Sequence, residues 1–311
     1  EPGPKIRTAI AYGATDLVIY LDEHEKSWPS DACELAAVNG RLDILKYILR
    51  TKRGGLSELT ADWSVDGGQA ACLQFAYENE GRGPYDGDHV ADCAKAGHIA
   101  CLEYLHTLDL VKDRADLCTN AAKFGQTETI TYLRKIGCAW SQETTREAAG
   151  GGHLDCLKYL IRNGCPWGAD CWHWAIFDGE LEVLKYLHSL ECAWDASSAM
   201  LAARNAQLEC LTFMHEQGCP WDARATMEAA HKGHLHILKY LHERGCPWDT
   251  ETCLEAIDCG HVECVRYMLQ QKCPITKQQD LEQVEKARSY YSGRNGAACD
   301  ACEELFNALA E

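Results

Sequence analysis

The chain holds 19 cysteines and 13 histidines in 311 residues, enough to bind metals, form disulfides or supply nucleophiles and bases. Spacing decides which of these chemistries it can support. Cys299-Asp300-Ala301-Cys302 is a Cys-x-x-Cys pair. Zinc would need two further ligands beside it, and a redox role would need a strand–helix–strand context. Neither is visible nearby. His231, His234 and His236 cluster, with His261 one step on, so a zinc site can be drawn. Asp86-Gly87-Asp88 has the form of a cation loop but lacks a following ligand set, and a turn accounts for it. Nucleophile elbows, phosphate loops and zinc-protease helices are absent.

Most of these reactive residues recur at a fixed interval. His188, His215 and His242 are 27 apart, and so are Cys138, Cys165, Cys192, Cys219, Cys246 and Cys273. His98, His153, His234 and His261 follow one recurring glycine. Cys156, Cys210 and Cys264 alternate with Val183 and Ile237 at one apolar position, as small buried hydrophobes would. A residue repeated in register serves the repeat, whereas a catalytic residue breaks it. The expectation is therefore no catalytic residue, no metal and no cofactor.

The interval itself is best followed from Gly233-His234-Leu235-His236-Ile237-Leu238-Lys239-Tyr240-Leu241. Close copies begin at Gly152, Gly179 and Gly260. The leading residue of the segment falls at Gly13, Gly40, Gly68, Gly97, Gly125, Gly152, Gly179, Ala206, Gly233 and Gly260. The steps are 27, 28, 29, 28 and then 27 throughout. Trp140, Trp167, Trp194, Trp221 and Trp248 keep the same beat, with Trp28 at the matching offset. Leu235, Leu238 and Leu241 are spaced as one face of a helix. Ala229-Ala230 upstream allows a close helix approach, and Gly233 suits a turn of positive φ. Asp195, Asp222 and Asp249 follow a Trp and are placed to cap a helix start. Each unit thus reads as helix, turn, helix, short loop. One pair cannot bury its own stripe, so the pairs must stack. Stacked helices lie about 8–10 Å apart, beyond the ~7 Å Cα separation that a disulfide tolerates. The 27-spaced cysteines should be free thiols.

Ala-Ala-x-x-Gly-His-x-x-x-Leu-x-x-Leu, seen at 229–241, resembles the helix–turn–helix half of the ankyrin repeat, and the likeness runs from residue 8 to about 273. The period is shorter than ankyrin's 33, and the Thr-Pro-Leu-His opening is replaced by pairs such as Ala225-Thr226 and Thr252-Cys253. A short-loop variety with Cys-Pro-Trp-Asp between repeats fits best. The resemblance implies an all-α, elongated α-solenoid of about ten repeats over 1–273. It also implies little β-structure, His side chains that brace the turns, and protein binding through the concave helices without catalysis. Residues 274–311, with helical stretches at 276–291 and 297–310, are expected to form a C-terminal helical cap.

Specificity should lie where the repeat is broken. The position ahead of each Ala-Ala pair holds Glu147, Trp174, Leu201, Glu228 and Glu255, and the position three further on holds Gly150, Phe177, Arg204, His231 and Asp258. Trp174 and Phe177 share a helix face, either as a binding hot spot or as local packing. The Trp series reads as rings stacked across successive loops, with an exposed recognition strip as the alternative. The expected partner-binding set is Trp174, Phe177, Arg204, His231, Glu228, Glu255 and Asp258. A net charge of −17, from 47 acidic and 30 basic residues, opposes a nucleic-acid partner. No apolar run suggests membrane insertion. The function expected is a non-catalytic protein-binding scaffold, with a structural accessory subunit of a large assembly as the alternative. Its place is a reducing intracellular compartment, cytoplasmic, or an organelle matrix or stroma after removal of a transit peptide.

Overall fold

The computed structural model describes residues 4–24, 28–51, 56, 59–80, 88–112, 114–168, 170–191 and 193–273. Among them every regular element is an α-helix. They divide into two compact units, residues 1–148 with 155–167, and residues 149–154 with the chain from 168 onward. The residues expected as a C-terminal cap, and Cys192, lie outside the described residues.

The first unit begins with five helix pairs: α1 (Pro4–Tyr12) and α2 (Thr15–His24), α3 (Ala32–Val38) and α4 (Leu42–Thr51), α5 (Thr60–Asp66) and α6 (Ala70–Glu80), α7 (His89–Ala96) and α8 (Ile99–Thr107), α9 (Leu117–Lys123) and α10 (Thr127–Lys135). The division between units falls within the pair α11 (Gln142–Gly150) and α12 (Leu154–Arg162). The second unit continues with α13 (Asp170–Asp178) and α14 (Leu181–Ser189), α15 (Ala196–Arg204) and α16 (Leu208–Glu216), α17 (Ala223–His231) and α18 (Leu235–Glu243), α19 (Thr250–Asp258) and α20 (Val262–Gln270). Within each unit first helices pack on first helices, as α15 on α17 on α19, and second helices pack on second, as α14 on α16 and α18 on α20. Each unit is therefore an α-solenoid.

Small residues set how closely the first helices approach. Ala202, Ala203, Ala229, Ala230 and Ala256 are fully buried there. Leu184, Leu187, Leu211, Leu238 and Leu241 fill the layer beneath them. Capping follows the sequence reading. Asp222 Oδ1 accepts from Arg224 N at 3.0 Å, and Asp249 Oδ1 accepts from Thr252 N at 3.0 Å. At Asp195 and Asp249 the third helical residue bonds back to complete a capping box.

All ten turn positions adopt left-handed backbone, from Gly13 at φ +75° to Gly260 at +72°, with Ala206 at +60°. The chain reverses through a Schellman motif. Gly233 N–H donates to Ala230 O at 3.1 Å and His234 N–H to Ala229 O at 2.8 Å. From α8 onward the second helices also end at a left-handed residue, as where Gly245 N–H donates to His242 O and Cys246 N–H to Leu241 O. At that second site the left-handed residue is Gly137, Gly164, Gly218 or Gly245, but also Asp109, Glu191 and Lys272.

The turn residue is constrained twice, because the next repeat lies directly over it. A Cβ at Gly233 would lie 2.5 Å from His261 Nδ1, and one at Gly179 would lie 2.3 Å from Gln207 Oε1. Replacing Gly233 by Ala should therefore cost about 2 kcal/mol or more, from backbone strain plus displacement of the His261 ring. Ala206→Gly should raise the unfolding free energy by about 1 kcal/mol, since it relieves only strain. Urea denaturation of the two variants beside the parent protein measures both signs.

Candidate functional site

At four turns the side chain that follows bonds back to the preceding one. His234 Nε2–H donates to Arg204 O at 3.1 Å, His261 Nε2 reaches His231 O at 3.0 Å, and Gln207 Nε2–H donates to Phe177 O at 3.1 Å. In the first unit Arg41 does the same to Ala11 O, at 2.9 Å from Nη2. These histidines brace the repeat, as the resemblance implied, but the turn they brace belongs to the neighbour. The histidine cluster drawn from the sequence separates accordingly. His234 and His261 are engaged with backbone carbonyls, and the His234 and His236 rings stand 6.2 Å apart.

The cysteine series is also a bond between repeats. Sγ of Cys219, Cys246 and Cys273 donates to the carbonyls of Asp195, Asp222 and Asp249, at 3.5, 3.4 and 3.5 Å. Burial, with the neighbouring Asp as a lesser contributor, pushes these thiols up to about 12, so they remain protonated donors. The described cysteines are thiols and not disulfides.

The 27-spaced tryptophans are half-buried, but they do not stack on one another. Trp221 lies flat on His215 of its own repeat, 3.9 Å between ring centres, and meets Tyr240 of the next edge-on. Trp248 lies on His242 and against Tyr267 in the same way. The 27-residue rise separates successive Trp rings too far for contact, and the second-helix aromatic of the next repeat fills the gap. Tyr267 Oη also lies 2.9 Å from His242 Nδ1. In the repeat that places Trp194 on His188, the edge-on ring is Phe213. His188 Nδ1 there is buried without a partner.

What remains outside this repeating machinery is the face of the first helices in the second unit. Trp174 is 40% exposed and Phe177 47% exposed, and their rings lie 5.7 Å apart at 59°. Local packing does not bury them. Gly150 leaves room beside this pair, since a Cβ there would meet Trp174 Cβ at 3.4 Å and Asp178 Oδ2 at 3.1 Å. The charged members of the expected set are tied to one another. Arg204 Nε lies 3.9 Å from Glu228 Oε2, bridging α15 to α17. His231 Nδ1 lies 2.8 Å from Glu255 Oε2, bridging α17 to α19. Asp258 is half-buried, and desolvation, aided by Glu255, raises its carboxyl above the usual range.

Two residues that the sequence reading passed over belong with this set. Cys259 joins His231, with Sγ 3.4 Å from Nδ1. In the first unit Trp63, 40% exposed, stands five residues ahead of its turn glycine, the register of Trp174. That register was a signal available in the sequence, hidden by the degeneracy of the third repeat.

Residues 199–279 match the family model for ankyrin repeats, in three copies. The chain carries ankyrin repeats. Paired helices joined by left-handed turns continue through the described residues. The crystal structure of the human ASB11 ankyrin repeat domain is similar over 53% of this chain and 85% of its own, with 16% identity and a TM-score of 0.43. No curated protein matches.

Two outcomes follow for the braces. Phe213→Tyr should supply the missing partner of His188 and stabilise the repeats by about 1 kcal/mol, whereas Tyr267→Phe should remove the equivalent bond and lower stability. Thermal unfolding of the pair reads the two directions. The second outcome is a pH effect. Burial, with lesser contributions from His236, His261 and Lys232, depresses His234 below its ordinary 6.5. The unfolded chain therefore takes up the proton first, and stability should fall as pH drops through 6.5 toward the lowered folded value. Above that window His234 is neutral in both states and contributes nothing. His234→Gln, which copies the Gln207 brace, should flatten this part of the curve when unfolding is followed between about pH 7.5 and 5.

Proposed function

We propose that the protein is a non-catalytic scaffold that binds another protein through the first-helix face of its second unit, with Trp174 and Phe177 as the anchor. One observation carries this reading. Two large aromatic side chains stand exposed on α13, whereas further along the same face these two positions supply Arg204 paired with Glu228 and His231 paired with Glu255. The repeat does not require them, since Glu147, Glu228 and Glu255 occupy the register of Trp174 elsewhere. A rigid aromatic pair offers contact area with little side-chain entropy to lose. Ankyrin repeats are interaction modules as a class, and the Arg204–Glu228 and His231–Glu255 pairs form a polar border beside the aromatics.

The net charge of −17 supports a protein partner over a nucleic acid. Among the described residues no helix is long and apolar enough to cross a membrane. Buried free thiols held well above neutrality support a reducing intracellular compartment as the place of work.

A photo-crosslinking residue placed at Phe177 in the full chain should capture the partner, which is then titrated against the wild type and Trp174→Ala. Truncation at Trp174 should weaken binding by about 2 kcal/mol, roughly thirtyfold in Kd, with an unchanged melting temperature. A lowered melting temperature with unaltered affinity would assign Trp174 to packing.

A further inference from the structure

Cys259 is the exception among the described cysteines, since it alone is not buried. It caps the C-terminus of α19, where a core-filling role cannot explain it. Its Sγ lies 3.4 Å from Nδ1 of His231, the last residue of α17. The same nitrogen lies 2.8 Å from Oε2 of Glu255, one turn earlier on α19. The three donor atoms fall within 4.8 Å of one another, and each residue is half-buried.

The repeat supplies its own control for this cluster. One period earlier the three positions hold Arg204, Glu228 and Lys232, and two periods earlier Phe177, Leu201 and Asn205. Gly150, Trp174 and Asp178 precede them. In that series only the set at 231, 255 and 259 consists wholly of residues that can ligate a metal. The Arg204–Glu228 ion pair shows what this contact does when it serves only to join helices. Substituting His for the Arg and Cys for the Lys exchanges two permanent cations for two ligands.

Imidazole nitrogen, thiolate and carboxylate together suit a borderline divalent ion such as Zn²⁺ rather than Mg²⁺ or Ca²⁺. Tetrahedral zinc with ordinary bond lengths holds a nitrogen and a sulfur ligand about 3.5 Å apart, close to the 3.4 Å found between His231 and Cys259. The shorter approach of Glu255 is a hydrogen bond that opens slightly when the metal takes the place of the proton. His261 Nε2, 3.0 Å from the backbone carbonyl of His231, holds the end of α17 from which this side chain projects.

We propose that His231, Glu255 and Cys259 form a binding site for a zinc-class divalent cation that clamps α17 to α19. Binding releases the Cys259 thiol proton to solvent and shifts the imidazole proton from Nδ1, where Glu255 accepts it, to Nε2, so that Nδ1 is free for the metal. Three protein ligands leave one coordination position for water or for a donor from a bound molecule.

The probe is Co²⁺ added to the full chain, reduced and stripped of metal. The expected result is a thiolate-to-cobalt absorption with tetrahedral visible bands, saturating at about one equivalent and bleached by Zn²⁺. Cys259→Ser should abolish the thiolate band, and His231→Gln should weaken cobalt binding by about tenfold or more. Cys299→Ser with Cys302→Ser should leave the spectrum intact. Zn²⁺ should raise the melting temperature of the wild type but not of Cys259→Ser, which folds without metal. A band that survives Cys259→Ser, one that disappears with the tail pair, or no thiolate band at all would overturn the assignment. None of these readouts involves the partner protein, so the scaffold reading stands or falls separately.

Discussion

A helix pair of 27 residues cannot cover its own apolar stripe, so the stability of each repeat depends on how closely the next one settles on it. That approach is closest at the left-handed turn. There a small turn residue, glycine at nine of the ten positions and Ala206 at the other, lets the side chain of the following repeat lie on the turn and reach a carbonyl beyond it. The side chains that do so are chemically diverse. Arg41, Gln207, His234 and His261 each bond a preceding turn. They share reach and a donor. The backbone of the turn is thus specified more tightly than the residue that braces it.

Two further series reinforce the same junction from the loop side. Buried thiols donate to the carbonyl of the capping Asp one repeat earlier, and each His–Trp stack is closed by an aromatic ring from the repeat that follows. Every one of these contacts joins nearest neighbours, which is why stability in such an array is close to a sum of repeat and interface contributions. It also accounts for the reactive residue types that recur in register. Burial keeps Cys219, Cys246 and Cys273 protonated, His234 and His261 are engaged with carbonyls, and His188, His215 and His242 stack on indole rings.

The two proposed binding features lie where the series is interrupted. The first-helix face of the second unit combines an exposed aromatic pair with a run of inter-helix charge pairs. Between α17 and α19 that run changes character, from an ion pair to a constellation of ligands. Both features use positions that the repeat leaves free, because their side chains point off helices already fixed by alanine contacts beneath. Substitution there alters the surface without altering the stack.

The period, the all-helical pairs, the turn residues and the capping aspartates were determined by the sequence alone, because they rest on local chemistry. Positive φ favours glycine, a side-chain oxygen caps an amide, and apolar residues recur once per helical turn. The free thiols followed as well, from the spacing that stacked helices impose. What only tertiary structure decided were the partners from one repeat to the next. It showed that a Trp ring meets the second-helix aromatic of the next repeat instead of the next Trp, that the cysteines donate to carbonyls, and that Arg204 and His231 are paired with Glu228 and Glu255. It also exposed Trp174 and Phe177 and brought Cys259 to His231. These depend on the rise and rotation from one repeat to the next, a few ångströms that no residue spacing encodes. A periodic sequence states which positions are equivalent, and the packed repeats determine which of them touch.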